Sequence, residues 1–217
     1  MHATIDIPKG TILISVPRHC ILTTDMGRSL PLGKKLAESE LRINAPRHIY
    51  LILYILWDMT TNGSDSFFFP YYDVLPKSFP HIPIFWSREE LKYLEGSFLL
   101  GEIVERNRAI WEDYCTVCRI VEKEAAAAAH VQSDDIDNEE ANATDATAAT
   151  SSWFHDVSIA DFQWARVAIT SRNFAFVDRS TARVSAMVPQ ADMLNHQRPP
   201  DAMWAFDIER DAFIIRT

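Results

Sequence analysis

Cysteine is scarce in this chain: Cys20, Cys115 and Cys118 are the three in 217 residues. A low, odd count excludes a disulfide framework, and with no secretory leader it points to a reducing, intracellular compartment, cytoplasmic or nuclear. Cys115-x-x-Cys118 is half of a zinc-ribbon spacing, and no second pair completes four ligands. His19, His48, His81, His130 and His155 show no ligand spacing such as H-E-x-x-H, so no metal site is expected. There is no G-x-S-x-G elbow for a serine hydrolase. There is no P-loop and no G-x-G-x-x-G, which disfavours a phosphate cradle. Positive charge is also short, with 21 Lys and Arg against 30 Asp and Glu. The resulting charge of −9 leaves no broad basic face, so nucleic-acid binding is not expected. The apolar run over residues 49–57 falls far short of the about 20 residues that span a bilayer, so no membrane role is expected either.

What the chain does hold is apolar side chain, 47% of its residues, enough for one large domain or one domain with an insertion. Residues 3–10 end in a turn signal, and residues 11–16 alternate and favour β-structure, so the opening predicts a β-hairpin stopped by Pro17. From Gly33 the period turns helical. Helices are expected over residues 34–41 and 48–59, the second apolar on most sides and therefore buried, with Pro46 in its first turn and Asn62-Gly63 ending it. The stretch Phe67-Phe68-Phe69-Pro70-Tyr71-Tyr72 suits core anchoring better than a protein-binding groove. Ser87-x-x-Glu90 forms a capping box, and a long helix follows over about 99–124, which the alanine tract 125–129 can extend. Cys115 and Cys118 share a face of that helix and read as structural.

Between Lys123 and Arg166 there is no Lys or Arg, while Asp134, Asp135, Asp137, Glu139, Glu140 and Asp145 all fall there. Residues 132–152 hold almost no large apolar side chains and are expected to be a disordered insertion, with an acidic docking tail as the alternative. Ser158-Ile-Ala-Asp161 opens a further helix, to about Arg172. Strands are expected over 184–188, 203–206 and 212–215, with residues 208–211 as the last turn. The fold class is therefore α+β, with two small sheets meeting across inserted helices.

Chemistry concentrates in Val188-Pro-Gln-Ala-Asp-Met-Leu-Asn-His196 and in Ser171-Arg172-Asn173-Phe174. Asn195 offers a two-sided amide that suits a purine edge. Arg172 can hold a carboxylate in a bidentate pair. A lone His after a strand is more often a hydrogen-bonded structural residue than a ligand or base, and His196 alone reads that way. Spacing alone leaves a pocket with one purine-like and one carboxylate-like partner.

Four stretches, taken in order, carry a resemblance. They are Ala3-Thr4-x-Asp6-Ile7-x-x-Gly10 with Ser15-Val16-Pro17, Ser66-Phe67-x-x-Pro70-Tyr71-x-x-x-Leu75-Pro76, Ser171-Arg172-x-Phe174, and Val188-Pro189-x-Ala191-Asp192-Met193-Leu194-Asn195-His196. Together they resemble the SET-domain protein methyltransferases, in the branch of the Rubisco large-subunit lysine methyltransferase and the actin-histidine methyltransferase. The resemblance implies a SET core of small sheets, residues 1–32 and 158–217, split by a helical insertion at 33–157 with a disordered loop at about 130–152. It implies S-adenosylmethionine as cofactor and direct methyl transfer to a lysine amine of a protein substrate. By position, Arg172, Asn195 and His196 would bind the cofactor. Ser171 and Asp192 would lie by the substrate lysine, and Phe174 would wall its channel. The histidine-methylating branch carries Asn and Trp where this chain has Phe174 and Ala191, which favours lysine. A protein-histidine methyltransferase and an inactive SET-like binding module are the alternatives, and a monomer is expected. The family's Glu-Gly-x-Gly loop and its catalytic tyrosine would fall before Met1 and beyond Thr217, so a truncated chain of low activity is expected.

Overall fold

The computed structural model describes residues 4–134, 151–178, 183–195 and 198–217, and in its longest helix the side chains as far as residue 128. Two three-stranded antiparallel sheets face each other. The first has β1 (Ile12–Pro17), β6 (Ala212–Arg216) and β5 (Met203–Asp207), with β6 central. The second has β2 (Leu22–Thr23), β4 (Arg183–Met187) and β3 (Asn173–Val177), with β4 central. Ala212 to Ile215 are buried without alternation, as a strand covered on both faces should be. Between the sheets lie Val16, Phe176, Val184, Phe213 and Ile215. Phe213 packs on Phe174 and Phe176 at centroid distances of 4.9 and 5.5 Å.

The expected hairpin over the first 16 residues is not formed. Residues 4–10 are not a strand; Gly10 turns at φ +86°, and Pro8 has no N–H to donate to a ladder. β1 instead pairs with β6, Val16 opposite Phe213, and the Gly10 N–H donates to the Thr217 carbonyl at 2.8 Å. β5 and β6 form the expected hairpin.

The helices make a second core. α1 (Thr24–Ser29) and α2 (Pro31–Glu38) lead to α3 (Ile49–Thr61), which is buried from Ile49 through Leu53. α2 begins three residues earlier than its period predicts, because Pro31 suits a first helical turn. At Gly27 a Cβ would fall 1.8 Å from the Tyr50 carbonyl oxygen, so glycine is what lets α1 lie against α3. α4 (Phe69–Val74) is short and aromatic, and α5 (Arg88–Leu91) starts on the Ser87 capping box. α6 (Phe98–Asp134) extends ten residues past the expected end, through the alanine tract. Of the expected disordered insertion, residues 135–150 lie outside the described residues. Ser151 is buried, its hydroxyl donating to Glu124 Oε2 at 2.6 Å. α7 (Ile159–Arg172) starts on the Ser158 capping box and runs directly into β3. Among the described residues no helix is long and apolar enough to cross a membrane.

Candidate functional site

β4 ends at Met187, and Val188-Pro189 leads into Gln190 at φ +68°. A non-glycine residue held there costs on the order of 1–3 kcal/mol. The Asp192 N–H donates back to the Val188 carbonyl at 3.2 Å, and the Leu194 N–H, donating to the Ala191 carbonyl at 3.3 Å, closes a tight 3-10 turn over Ala191–Met193. This reversal buries Ala191 and the Asp192 side chain and leaves Asn195 exposed.

Asp192 is held from two directions. Arg172, the last residue of α7, donates from Nη1 to Asp192 Oδ2 at 3.1 Å and to its backbone carbonyl at 3.4 Å. The Tyr71 hydroxyl, on α4, donates to the same Oδ2 at 2.8 Å. Burial first, and then the Asp192 carboxylate, push the Tyr71 phenol far above its ordinary range, so it stays a donor. Asp192 Oδ1 is buried and has no hydrogen-bond partner among the described residues. Such an acceptor costs about 1–3 kcal/mol.

The position of Tyr71 has its own support. Asp58, at the end of α3, is buried and accepts from the Ser66 hydroxyl at 2.6 Å, the Tyr72 hydroxyl at 2.8 Å and Asn62 Nδ2 at 2.7 Å. This network fixes α4 against α3, and Tyr71 projects from the fixed α4 to Asp192. The Ser-Phe-x-x-Pro-Tyr stretch is thus a bracket between the helical insertion and the sheet.

One cleft of about 780 Å³ brings together Ser171, Arg172, Phe174, Ala191, Asp192 and Asn195. These are all the expected site residues except His196, which lies outside the described residues. The size is that of a small-molecule or cofactor site. Its apolar wall includes Leu13 from β1, Ile215 from β6, and Met203 and Trp204 from β5. Trp204 meets Phe174 edge-on at 5.6 Å. The Ser171 hydroxyl donates to the Ala168 carbonyl within its own helix. Sequence reasoning missed Leu13, Trp204 and the site role of Tyr71. Alternation signalled β1, and β5 was expected as a strand, without telling which face of either would meet α7.

No family model matches the chain. Among curated proteins it is 33% identical over 119 residues to an N-lysine methyltransferase setd6 from Xenopus laevis, covering 54% of this chain and 25% of that protein. It is 21% identical over 197 residues to an actin-histidine N-methyltransferase from Callithrix jacchus, covering 90% of this chain and 29% of that protein. The matches span about a quarter of the relatives' length. Among solved structures, the SET domain of LSMT bound to lysine and AdoHcy superposes with a TM-score of 0.65 at 23% identity, over 99% of this chain and 42% of that one. Rubisco LSMT bound to sinefungin and monomethyllysine gives 0.62 at 22% identity, over 97% and 40%. The chain has the fold of a SET domain, and in sequence it resembles the SET-domain protein methyltransferases.

Proposed function

We propose that the chain forms the transfer site of a protein-lysine N-methyltransferase that uses S-adenosylmethionine. The observation that carries this reading is the cleft itself. A buried carboxylate oxygen without a donor sits beside an arginine, an amide and an aromatic wall. The donor set fits the cofactor. The Asn195 side chain makes no hydrogen bond to any described residue, and its amide can pair with a purine edge. Arg172 keeps Nε and Nη2 without an acceptor among the described residues, available to a carboxylate. When bound, S-adenosylmethionine supplies an activated methyl group on a sulfonium.

The chain's own residues then align and desolvate. Asp192 Oδ1 accepts from the N–H of an entering lysine. Arg172 offsets the Asp192 charge, so the apolar wall of Phe174 and Trp204 favours the neutral, nucleophilic amine. Phe174 in place of Asn, and Ala191 in place of Trp, support lysine over histidine.

Calorimetric titration with S-adenosylhomocysteine tests the cofactor half. Asn195→Ala is expected to weaken binding about tenfold, the loss of a hydrogen bond with a buried partner. Mass spectrometry of methylated peptides tests the acceptor half: methyl-lysine supports the reading, and methyl-histidine reassigns the substrate. Absence of both binding and transfer leaves a SET-like binding module.

A further inference from the structure

A second groove opens off the first. It has a volume of about 610 Å³, runs between α6, the turn Pro83–Phe85 and α7, and meets the candidate site at Ser171, which lines both. Its walls include Ile84, Ile103 and Val167, and at its mouth Phe98 and Leu99 are 80% and 45% exposed. Two arginines are set among these apolar side chains, Arg106 from α6 and Arg166 from α7.

Neither arginine has an ion pair among the described residues. Arg166 is half-buried, and among the described residues its guanidinium makes one hydrogen bond, to His48 Nδ1 at 2.6 Å. Burial, and next the Arg166 charge, hold His48 at about 4, so it is a neutral acceptor that cancels no charge. Asp113 acts on Arg166 only from beyond ion-pair distance. Its carboxylate is engaged by the backbone N–H groups of Asn44 at 2.6 Å and Ala45 at 3.1 Å. Arg106 repels Arg166. Glu102, one turn before Arg106, is the acid lining the groove. Two guanidinium groups therefore share an apolar groove with one carboxylate. Arg106 is exposed and Arg166 half-buried; the desolvated Arg166 charge, offset only at a distance by Asp113, gains most from an entering carboxylate, which forms charge-assisted hydrogen bonds with both.

Geometry sets the spacing. Arg166 lies five residues before Ser171 on α7, about 7.5 Å along the axis at ~1.5 Å per residue. An extended peptide advances about 3.3 Å per residue. We propose that this groove seats an Asp or Glu side chain of the protein substrate against Arg106 and Arg166, two or three residues from the target lysine. The proposal rests on the reading of the adjoining cleft as the transfer site. It makes substrate choice a matter of local acidity.

The test uses fluorescein-labelled twelve-residue peptides of Gly, Ser and Ala around a central lysine. Glu is placed two or three residues before or after that lysine, and the controls carry Gln instead. Anisotropy is measured on the protein with S-adenosylhomocysteine present. At least one Glu peptide is expected to bind about tenfold tighter than its Gln control. The preference should vanish in Arg166→Gln with Arg106→Gln. It should invert in Arg106→Glu, an exposed change that leaves the core intact. No binding of any Glu peptide, or a preference unchanged in the double variant, overturns the proposal. The two readings fail separately. Charge preference without S-adenosylhomocysteine binding and without methyl transfer removes the enzyme reading and keeps the groove. Methyl transfer without charge preference does the reverse.

Discussion

Tyr71 joins two parts of the molecule through a single oxygen. Its ring is buried in the helical core, and its hydroxyl reaches Asp192 across 121 positions of sequence. Tyr71→Phe keeps the ring and removes the donor, leaving Asp192 Oδ2 to Arg172 alone. A hydrogen bond to a charged group contributes about 1.5–3 kcal/mol, so urea unfolding of Tyr71→Phe is expected to show a loss of that size. A loss under about 0.5 kcal/mol would show that Arg172 alone suffices. Asp192, Asn195 and Arg172 are legible in sequence as a polar corner, because they lie within two short motifs beside apolar runs. Tyr71 is legible only as one aromatic among several. Its partner is remote, and no local pattern records a contact between α4 and the turn after β4.

At the scale of elements, α3, α6 and α7 meet around His48, Arg166 and Asp113. His48 sits at about 4 in the folded chain against about 6.5 unfolded. Between those values the unfolded chain binds a proton that the folded chain refuses. The stability associated with neutral His48 is therefore complete above about pH 6.5 and is lost as pH falls towards 4. Asp113, raised by burial, acts with the opposite sign in the carboxylate range, so a variant comparison is needed to isolate His48. His48→Gln keeps an acceptor for Arg166 and does not titrate. Urea midpoints at pH 7 and pH 4.5 should fall further apart in the parent than in the variant, and equal differences would remove His48 from the account.

Elements differ in how openly the sequence announces them. The helices starting at Ser87 and Ser158 are marked by capping boxes made within four residues. β3 carries no such mark, since Asn173 follows the last turn of α7 with no Gly or Pro between them. The start of α2 is displaced by Pro31 in the same local way.

For the whole molecule, the division into β, helical block and β is legible, because hydrophobic period changes twice along the chain. Which strands pair is not, since the expected opening hairpin gives way to β1 beside β6. That pairing bears on the order in which the molecule is built. Val16 and Phe213 are neighbours separated by almost the entire chain, whereas α1 and α3 lie about 25 residues apart. Closing the longer loop costs about 2 kcal/mol more entropy, from about three doublings of loop length at ~0.6 kcal/mol each. Collapse of the helical block shortens the effective loop, so the helices should form before the clasp between Gly10 and Thr217. Pulse-labelled hydrogen exchange during refolding should find the amides of α3 protected earlier than those of β6, and simultaneous protection would contradict this sequence of events. Leu13 and Ile215 line the cleft from those two late strands. A nascent or partly refolded chain would then carry its aromatic insertion and capped helices in place while its cleft is still open, and a ligand bound there would act as the latch that keeps the last pairing shut.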